Sequence, residues 1–133
     1  MVYISSSTRI LTITDDPSFY LRVHYAFARE RGIEIMLTSN TTYRGLKRIK
    51  ELHPDIILVD GDLPDNDAIS VCRNILHDGY SGNIILFEMD FTRARNACEV
   101  GVTTCFPREI GYRELLSGVK LIRKSKQTSS ESC

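Results

Sequence analysis

Strand-like and helix-like segments alternate five times along this chain, and that alternation constrains the fold more than any other feature. Arg9 to Thr14 (RILTIT), Ile33 to Leu37, Asp55 to Val59 (DIILV), Asn83 to Phe87 and Val102 to Phe106 are short, apolar and rich in β-branched residues. Each is followed by a segment of helical periodicity: Phe19 to Arg31, Thr42 to Leu52, Ile69 to Leu76, Thr92 to Val100 and Tyr112 to Lys124. Strict alternation of this kind predicts parallel strands joined by right-handed crossovers, with helices on both faces of the sheet. The nearly uninterrupted apolar run of the third strand marks it as central and covered on both sides.

Local signals sharpen the boundaries. Asp16 is a natural N-cap and Pro17 suits a first helical turn. The first helix is expected to turn Leu21, Tyr25 and Ala28 inward and to end at Gly32. Ser39, Asn40 and Thr41 offer caps for the second helix, which faces Leu46 and Ile49 inward and stops at His53 and Pro54. Leu115, Leu116, Val119 and Ile122 form the apolar stripe of the last helix. Residues 1–124 are expected to make one domain. The polar residues 125–133 read as a disordered tail or the start of a linker.

A chain of 133 residues has enough material for one core. Lys plus Arg and Asp plus Glu both number 17, so no net field draws the chain to nucleic acid. The longest apolar runs fall far short of the roughly 20 residues that cross a bilayer, and Met1 to Ser7 lack the pattern of a secretory signal. Cys72, Cys98, Cys105 and Cys133 form no CxxC pair and have no His at zinc-ligand spacing. They read as three small core-facing residues and one tail thiol in a reducing compartment, which implies a cytoplasmic protein.

In an open parallel sheet, ligands bind beyond the carboxyl ends of the strands, at the switch in strand order. Those ends carry Asp15 and Asp16 after the first strand, Asp60 and Asp62 after the third, Glu88 after the fourth and Arg108 after the fifth. Crowded carboxylates repel one another unless a cation joins them. Hard oxygen ligands of this kind suit Mg²⁺, and a carboxylate beside such a cation is a candidate phosphoryl acceptor. No Gly-x-Ser-x-Gly elbow, GxGxxG turn or Walker loop is present, which removes the corresponding hydrolase and nucleotide-binding readings.

The stretches ILTITDDP (10–17), IILVDGDLPDNDA (56–68), NIILFEM (83–89) and GVTTCFPRE (101–109) resemble the receiver domains of two-component response regulators. The resemblance runs from Arg9 to Lys124. It implies a flavodoxin-like α/β fold, a five-stranded parallel sheet of order 2-1-3-4-5 with five flanking helices. It makes Asp60 the phosphoacceptor, with Mg²⁺ held by Asp15, Asp16, Asp60 and the backbone carbonyl of Asp62. Pro64 lies at the family's spacing from Asp60. The partners implied are a histidine kinase or phosphotransfer protein, with homodimerisation through the fourth helix, fifth strand and fifth helix. That surface includes Arg93, Arg95, Tyr112 and Lys120. No catalysis of metabolite turnover, no membrane contact and no direct nucleic-acid contact are implied.

The switch positions depart from the family pattern. Glu88 replaces the hydroxyl residue after the fourth strand, and ionised Glu only accepts hydrogen bonds. Met89 follows where a small residue is usual and is expected to restrict access to Asp60. Arg108 replaces Lys, Glu109 replaces Pro, Cys105 replaces the aromatic switch residue and Ala68 replaces a Gly. A direct Glu88–Arg108 ion pair filling the phosphoryl position is expected from neighbouring strand ends. The alternative function is a phosphorylation-independent pseudo-receiver, a constitutive interaction or dimerisation module. Asp60-Gly61-Asp62 also resembles the first motif of haloacid-dehalogenase-type phosphatases, but that motif usually opens its domain and needs more chain beyond it.

Overall fold

The alternating segments assemble into a single parallel sheet. The computed structural model describes residues 7–36, 42–63 and 67–127; Ser39, Asn40, Thr41, Pro64 and Asp65 lie outside them. The elements are β1 (Thr8–Ile13), α1 (Pro17–Phe27), β2 (Ile33–Ile35), α2 (Thr42–Leu52), β3 (Ile56–Asp60), α3 (Ala68–His77), β4 (Asn83–Phe87), α4 (Phe91–Val100), β5 (Thr104–Phe106) and α5 (Tyr112–Gln127). The sheet order is β2-β1-β3-β4-β5, and every pairing is parallel. This is the flavodoxin-like order expected from the sequence. The last helix runs past its expected end at Lys124 to Gln127, so the first residues of the expected tail are helical.

Every residue of β3 is buried, which is what a central strand covered on both faces requires. Alternate side chains serve two cores. Leu11, Ile13, Ile57, Val59, Ile84 and Leu86 pack with Ile49, Val71, Cys72 and Ile75 of α2 and α3. Ile10, Ile56, Leu58, Ile85 and Phe87 pack with Phe19, Val23 and Phe27 of α1 and with Leu115 and Val119 of α5.

The inner face of α1 differs from expectation. Phe19, Val23 and Phe27 are buried, whereas Leu21, Tyr25 and Ala28 face solvent. The buried set is a clean i, i+4, i+8 stripe holding two aromatic rings. Burying side chains of this size contributes roughly 1.5–3 kcal/mol each. The helix also ends at Phe27. Gly32, with φ +82°, sits in the turn that enters β2 instead of capping the helix. In contrast, Asp16 and Pro17 start α1 as read, and Gly101 at φ +120° closes α4.

Cys72 is buried and Cys105 half-buried, both as free thiols. Among the described residues no helix is long and apolar enough to cross a membrane.

Candidate functional site

The carboxyl ends of β1 and β3 lie side by side, since Ile13 is paired with Val59. The next residues, Thr14 and Asp60, therefore face one another. Asp60 is fully buried. A carboxylate at such a depth needs its lone pairs satisfied, because an unpaired buried charge is costly. Thr14, also buried, donates its hydroxyl to Asp60 Oδ2 at 2.6 Å. The backbone N–H of Asp62 donates to Asp60 Oδ1 at 2.9 Å. Gly61 makes this turn feasible. Its N–H donates to the Phe87 carbonyl at 2.9 Å, and a Cβ on it would stand 2.2 Å from that oxygen.

Arg108 completes the set. It lies just beyond β5, and its guanidinium crosses to β3. Nε donates to Asp60 Oδ1 at 2.7 Å and Nη2 to Asp60 Oδ2 at 3.1 Å, a two-pronged grip on one carboxylate. Nη2 also donates to Asp16 Oδ2 at 3.0 Å. Asp16 Oδ1 in turn accepts the Ser18 N–H as the N-cap of α1, and the Asp16 N–H donates to Thr14 Oγ1 at 3.0 Å. One cation thus ties the first and third strand ends together. The hydrogen bonds to Asp60 raise the pKa of Arg108 above its ordinary value despite desolvation. The hydrogen bond from Arg108 holds the Asp16 carboxyl below the usual carboxylate range. Beneath the guanidinium, the Phe19 ring lies 4.9 Å from Arg108 Cζ. Phe19 meets Phe87 edge-on at 5.0 Å, and Phe87 meets Phe106 at 6.2 Å, forming an apolar floor.

The expected Glu88–Arg108 pair does not form. Glu88 Oε1 pairs with Arg93 Nε at 3.0 Å, and its Oε2 accepts the Asp90 N–H at 3.2 Å. Arg93 also reaches Asp67, the N-cap of α3, at 3.2 Å. The reason is proximity along the chain: Arg93 lies in the first turn of α4, immediately after the loop that carries Glu88. Arg108 meanwhile finds two carboxylates on its other side. Met89 points largely to solvent. It is 66% exposed, and Arg108 is the side chain that covers the carboxylate.

Asp15, Asp62 and Glu109 are solvent-exposed, and Ala68 is buried. Cys105 Sγ lies 3.8 Å from the Ala94 carbonyl of α4. Of the expected contact surface, Arg93 is committed to Glu88 and Asp67, and Lys120 to Glu30 at 2.7 Å. Tyr112 and Arg95 are exposed. Two members of the site were missed from sequence, Thr14 and Phe19. Thr14 had a signal, a polar residue closing an apolar strand directly before two acids. Phe19 had only its place one turn into the capped helix.

The oxygen chemistry of Asp15, Asp16, Asp60 and the Asp62 carbonyl suits Mg²⁺, but the arrangement does not fit an ion alongside Arg108. Each Asp60 oxygen already accepts two hydrogen bonds, and the Asp16–Asp60 bridge is made by guanidinium. Among the described residues no three His, Cys, Asp or Glu side chains gather as a metal site. A separate, mainly apolar cavity of about 190 Å³ opens between α2 and α3, lined by Leu46, Ile49, Ile75, Tyr80 and the Lys50–Asp78 pair; Asp16, Asp60 and Arg108 take no part in it.

No family model matches the chain. Among solved structures, it superposes on a response regulator receiver domain protein from Clostridium thermocellum with a TM-score of 0.81, covering 92% of this chain and 99% of that one at 18% identity. A CheY-like receiver domain protein from Methanospirillum hungatei gives a TM-score of 0.79 over 94% of this chain and 100% of that one, at 20% identity. The chain has the fold of these receiver domains. Among curated proteins, it is 27% identical over 78 residues to a protein-glutamate methylesterase/protein-glutamine glutaminase from Koribacter versatilis, a match covering 59% of this chain and 22% of that protein. A protein of the same name from Lawsonia intracellularis matches at 27% over 71 residues, 53% of this chain and 20% of that protein. The chain spans about a fifth of the length of these curated relatives.

Proposed function

We propose that this chain is the signal-receiving module of a two-component system, accepting a phosphoryl group on Asp60 from a phosphohistidine of a histidine kinase or phosphotransfer protein. The observation that carries the reading is the position of Asp60. It is a buried carboxylate at the carboxyl end of the central strand, at the switch in strand order, framed by Thr14, Asp16 and Arg108 in a receiver fold. In the transfer, the P–N bond of the donor breaks with its electron pair left on the imidazole nitrogen. An Asp60 oxygen bonds to phosphorus. The chemistry needs positioning and positive charge near the transferring oxygens, and Arg108 supplies a fixed cation within reach of both Asp60 oxygens.

The reading assigns the chain no metabolite turnover. Its output is contact with another protein, for which the exposed Tyr112 and Arg95 near α4 and α5 are candidates, including a homodimer contact. Mg²⁺ belongs to the reading only as an ion held by Asp15, Asp16, Asp60 and the Asp62 carbonyl with Arg108 withdrawn. A cytoplasmic location goes with a histidine-kinase partner.

Intact-mass spectrometry after incubation with acetyl phosphate or phosphoramidate tests the assignment, with and without Mg²⁺. The expected result is the mass gain of one phosphoryl group in the wild type and none in Asp60→Asn. No gain in the wild type under either condition, or an equal gain in Asp60→Asn, refutes it and leaves the phosphorylation-independent interaction module as the better account.

A further inference from the structure

We infer that Arg108 is the resident counter-cation of the acidic pocket, standing in the place of a divalent metal ion, so that guanidinium engagement and metal binding exclude one another. The inference concerns the regulation of the proposed site and rests on that reading for its biological sense, but its physical content is independent of phosphorylation.

Charge is the first part. Asp16 and Asp60 converge at the ends of adjacent strands, and two carboxylates brought this close repel each other unless a cation lies between them. The cation between them here is a side chain. A guanidinium is planar and forked, so one group reaches both oxygens of Asp60 and one oxygen of Asp16. A lysine ammonium is a compact point charge without that fork. Coordination is the second part. A metal ion needs a lone pair of Asp60 directed at it, yet Oδ1 already accepts from Arg108 and the Asp62 N–H, and Oδ2 from Arg108 and Thr14. Metal entry therefore requires Arg108 to leave. The third part is anchorage. Phe19 lies under the guanidinium, and the side chain is only 22% exposed. The neighbouring loop is fastened where Arg22 donates to the Ile110 carbonyl at 3.3 Å. Arg108 is held as a part of the pocket, in contrast to a surface arginine that samples solvent.

The test is a titration of the whole chain with Mg²⁺, and with Mn²⁺ followed by the electron paramagnetic resonance of the free ion, in the wild type, Arg108→Gln and Arg108→Lys. The Arg108 Nε–H resonance is recorded in parallel by NMR in the wild type. Weak affinity is expected in the wild type, with the Nε–H signal lost from its hydrogen-bonded position as the ion saturates. Arg108→Gln is expected to bind the ion tighter by about tenfold or more, where tenfold corresponds to about 1.4 kcal/mol, and Arg108→Lys to lie between. Should Arg108→Gln fail to fold, Arg108→Lys and the wild-type resonance still decide. The inference is overturned if the wild type saturates while the Nε–H signal stays in place, or if neither variant gains affinity. A gain of affinity in the variants, in a chain that takes no phosphoryl group on Asp60, upholds the counter-cation and removes the phosphoacceptor; phosphoryl transfer with unchanged metal affinity in the variants does the reverse.

Discussion

Thr12 in β1 and Thr14 just beyond its end make a matched experiment. Thr12 and Thr14 are both buried and two residues apart, but only Thr14 has work for its hydroxyl. Thr14 Oγ1 donates to the buried Asp60 carboxylate at 2.6 Å and accepts from the Asp16 N–H at 3.0 Å. Thr12 Oγ1 is buried with no hydrogen-bond partner among the described residues. Valine is nearly isosteric and keeps the β-branched shape that suits a strand. Thr14→Val removes a hydrogen bond to a charged group, worth roughly 1.5–3 kcal/mol, and leaves an oxygen of Asp60 short of one donor. The Asp16 N–H lies near solvent, so water takes over much of the second bond. The expected loss is about 2–3 kcal/mol, or roughly 10 °C in Tm for a chain of this size. Thr12→Val removes an unsatisfied hydroxyl and is expected to be neutral or stabilising by up to about 1 kcal/mol. Urea unfolding followed by circular dichroism, with the slope m unchanged, measures both. A loss at Thr14 below about 0.5 kcal/mol, or equal losses at the two positions, would refute the claim that Asp60 is a buried carboxylate held by that hydroxyl.

Three further outcomes are expected. Gly61→Ala places a Cβ 2.2 Å from the Phe87 carbonyl oxygen and is expected to cost about 3 kcal/mol or more, against about 1 kcal/mol for Gly79→Ala, where φ is +95° but no atom lies within 4 Å; equal losses in urea melts would contradict the close approach at β3. Asp16 has its folded pKa depressed by Arg108, so its contribution is present above the ordinary carboxylate range and is lost as pH falls through the depressed value. Asp16→Asn should therefore flatten the acid limb of the stability–pH curve, and an unchanged limb would mean that the Arg108–Asp16 contact is not maintained in solution. Burial pushes the Cys72 thiol up to about 12, so the fold loses stability as pH rises from the ordinary thiol range towards that value. At neutral pH a thiol reagent should label Cys72 only in urea, as read by peptide mass spectrometry, and labelling of the native chain would place this cysteine outside the core.

The architecture was legible because backbone periodicity and strand-end position are local properties. DIILV could only be a doubly covered central strand, and Asp16–Pro17 could only begin a helix at that spacing. Once β1 and β3 were adjacent, the juxtaposition of Asp16 with Asp60 followed from topology. The face of α1 was not legible to the same degree. Leu21 and Tyr25 satisfy a helical period as well as Phe19 and Val23 do, and only the packing of Phe19 against Phe87 from β4 decides between them. The partners of Glu88 and Arg108 were misjudged for a related reason. Neighbouring strand ends bring charges close, but rotamer reach chooses among several close partners. Arg93, one turn into the next helix, was nearer to Glu88 than any argument from strand order could reveal.

Those two choices divide the charges around the pocket into separate sets. Asp60, Asp16 and Arg108 join the ends of β1 and β3 to the loop after β5, and that loop is pinned to α1 by Arg22. Glu88, Arg93 and Asp67 join the loop after β4 to the starts of α3 and α4. Arg93 bonds within the second set and Arg108 within the first. A change of charge at Asp60 acts first on Arg108, because the guanidinium is its direct partner. The displacement then reaches the β5–α5 loop and the capped end of α1, which share that cation. Towards α4, the backbone bonds of Gly61 to Phe87 and of Glu88 to Phe106, at 2.9 Å each, carry the change across the sheet. Backbone bonds between paired strands yield less than a side-chain ion pair, so the expected first response is on the α1 and α5 side. That direction follows from Arg108 having taken the carboxylates and Glu88 having taken Arg93.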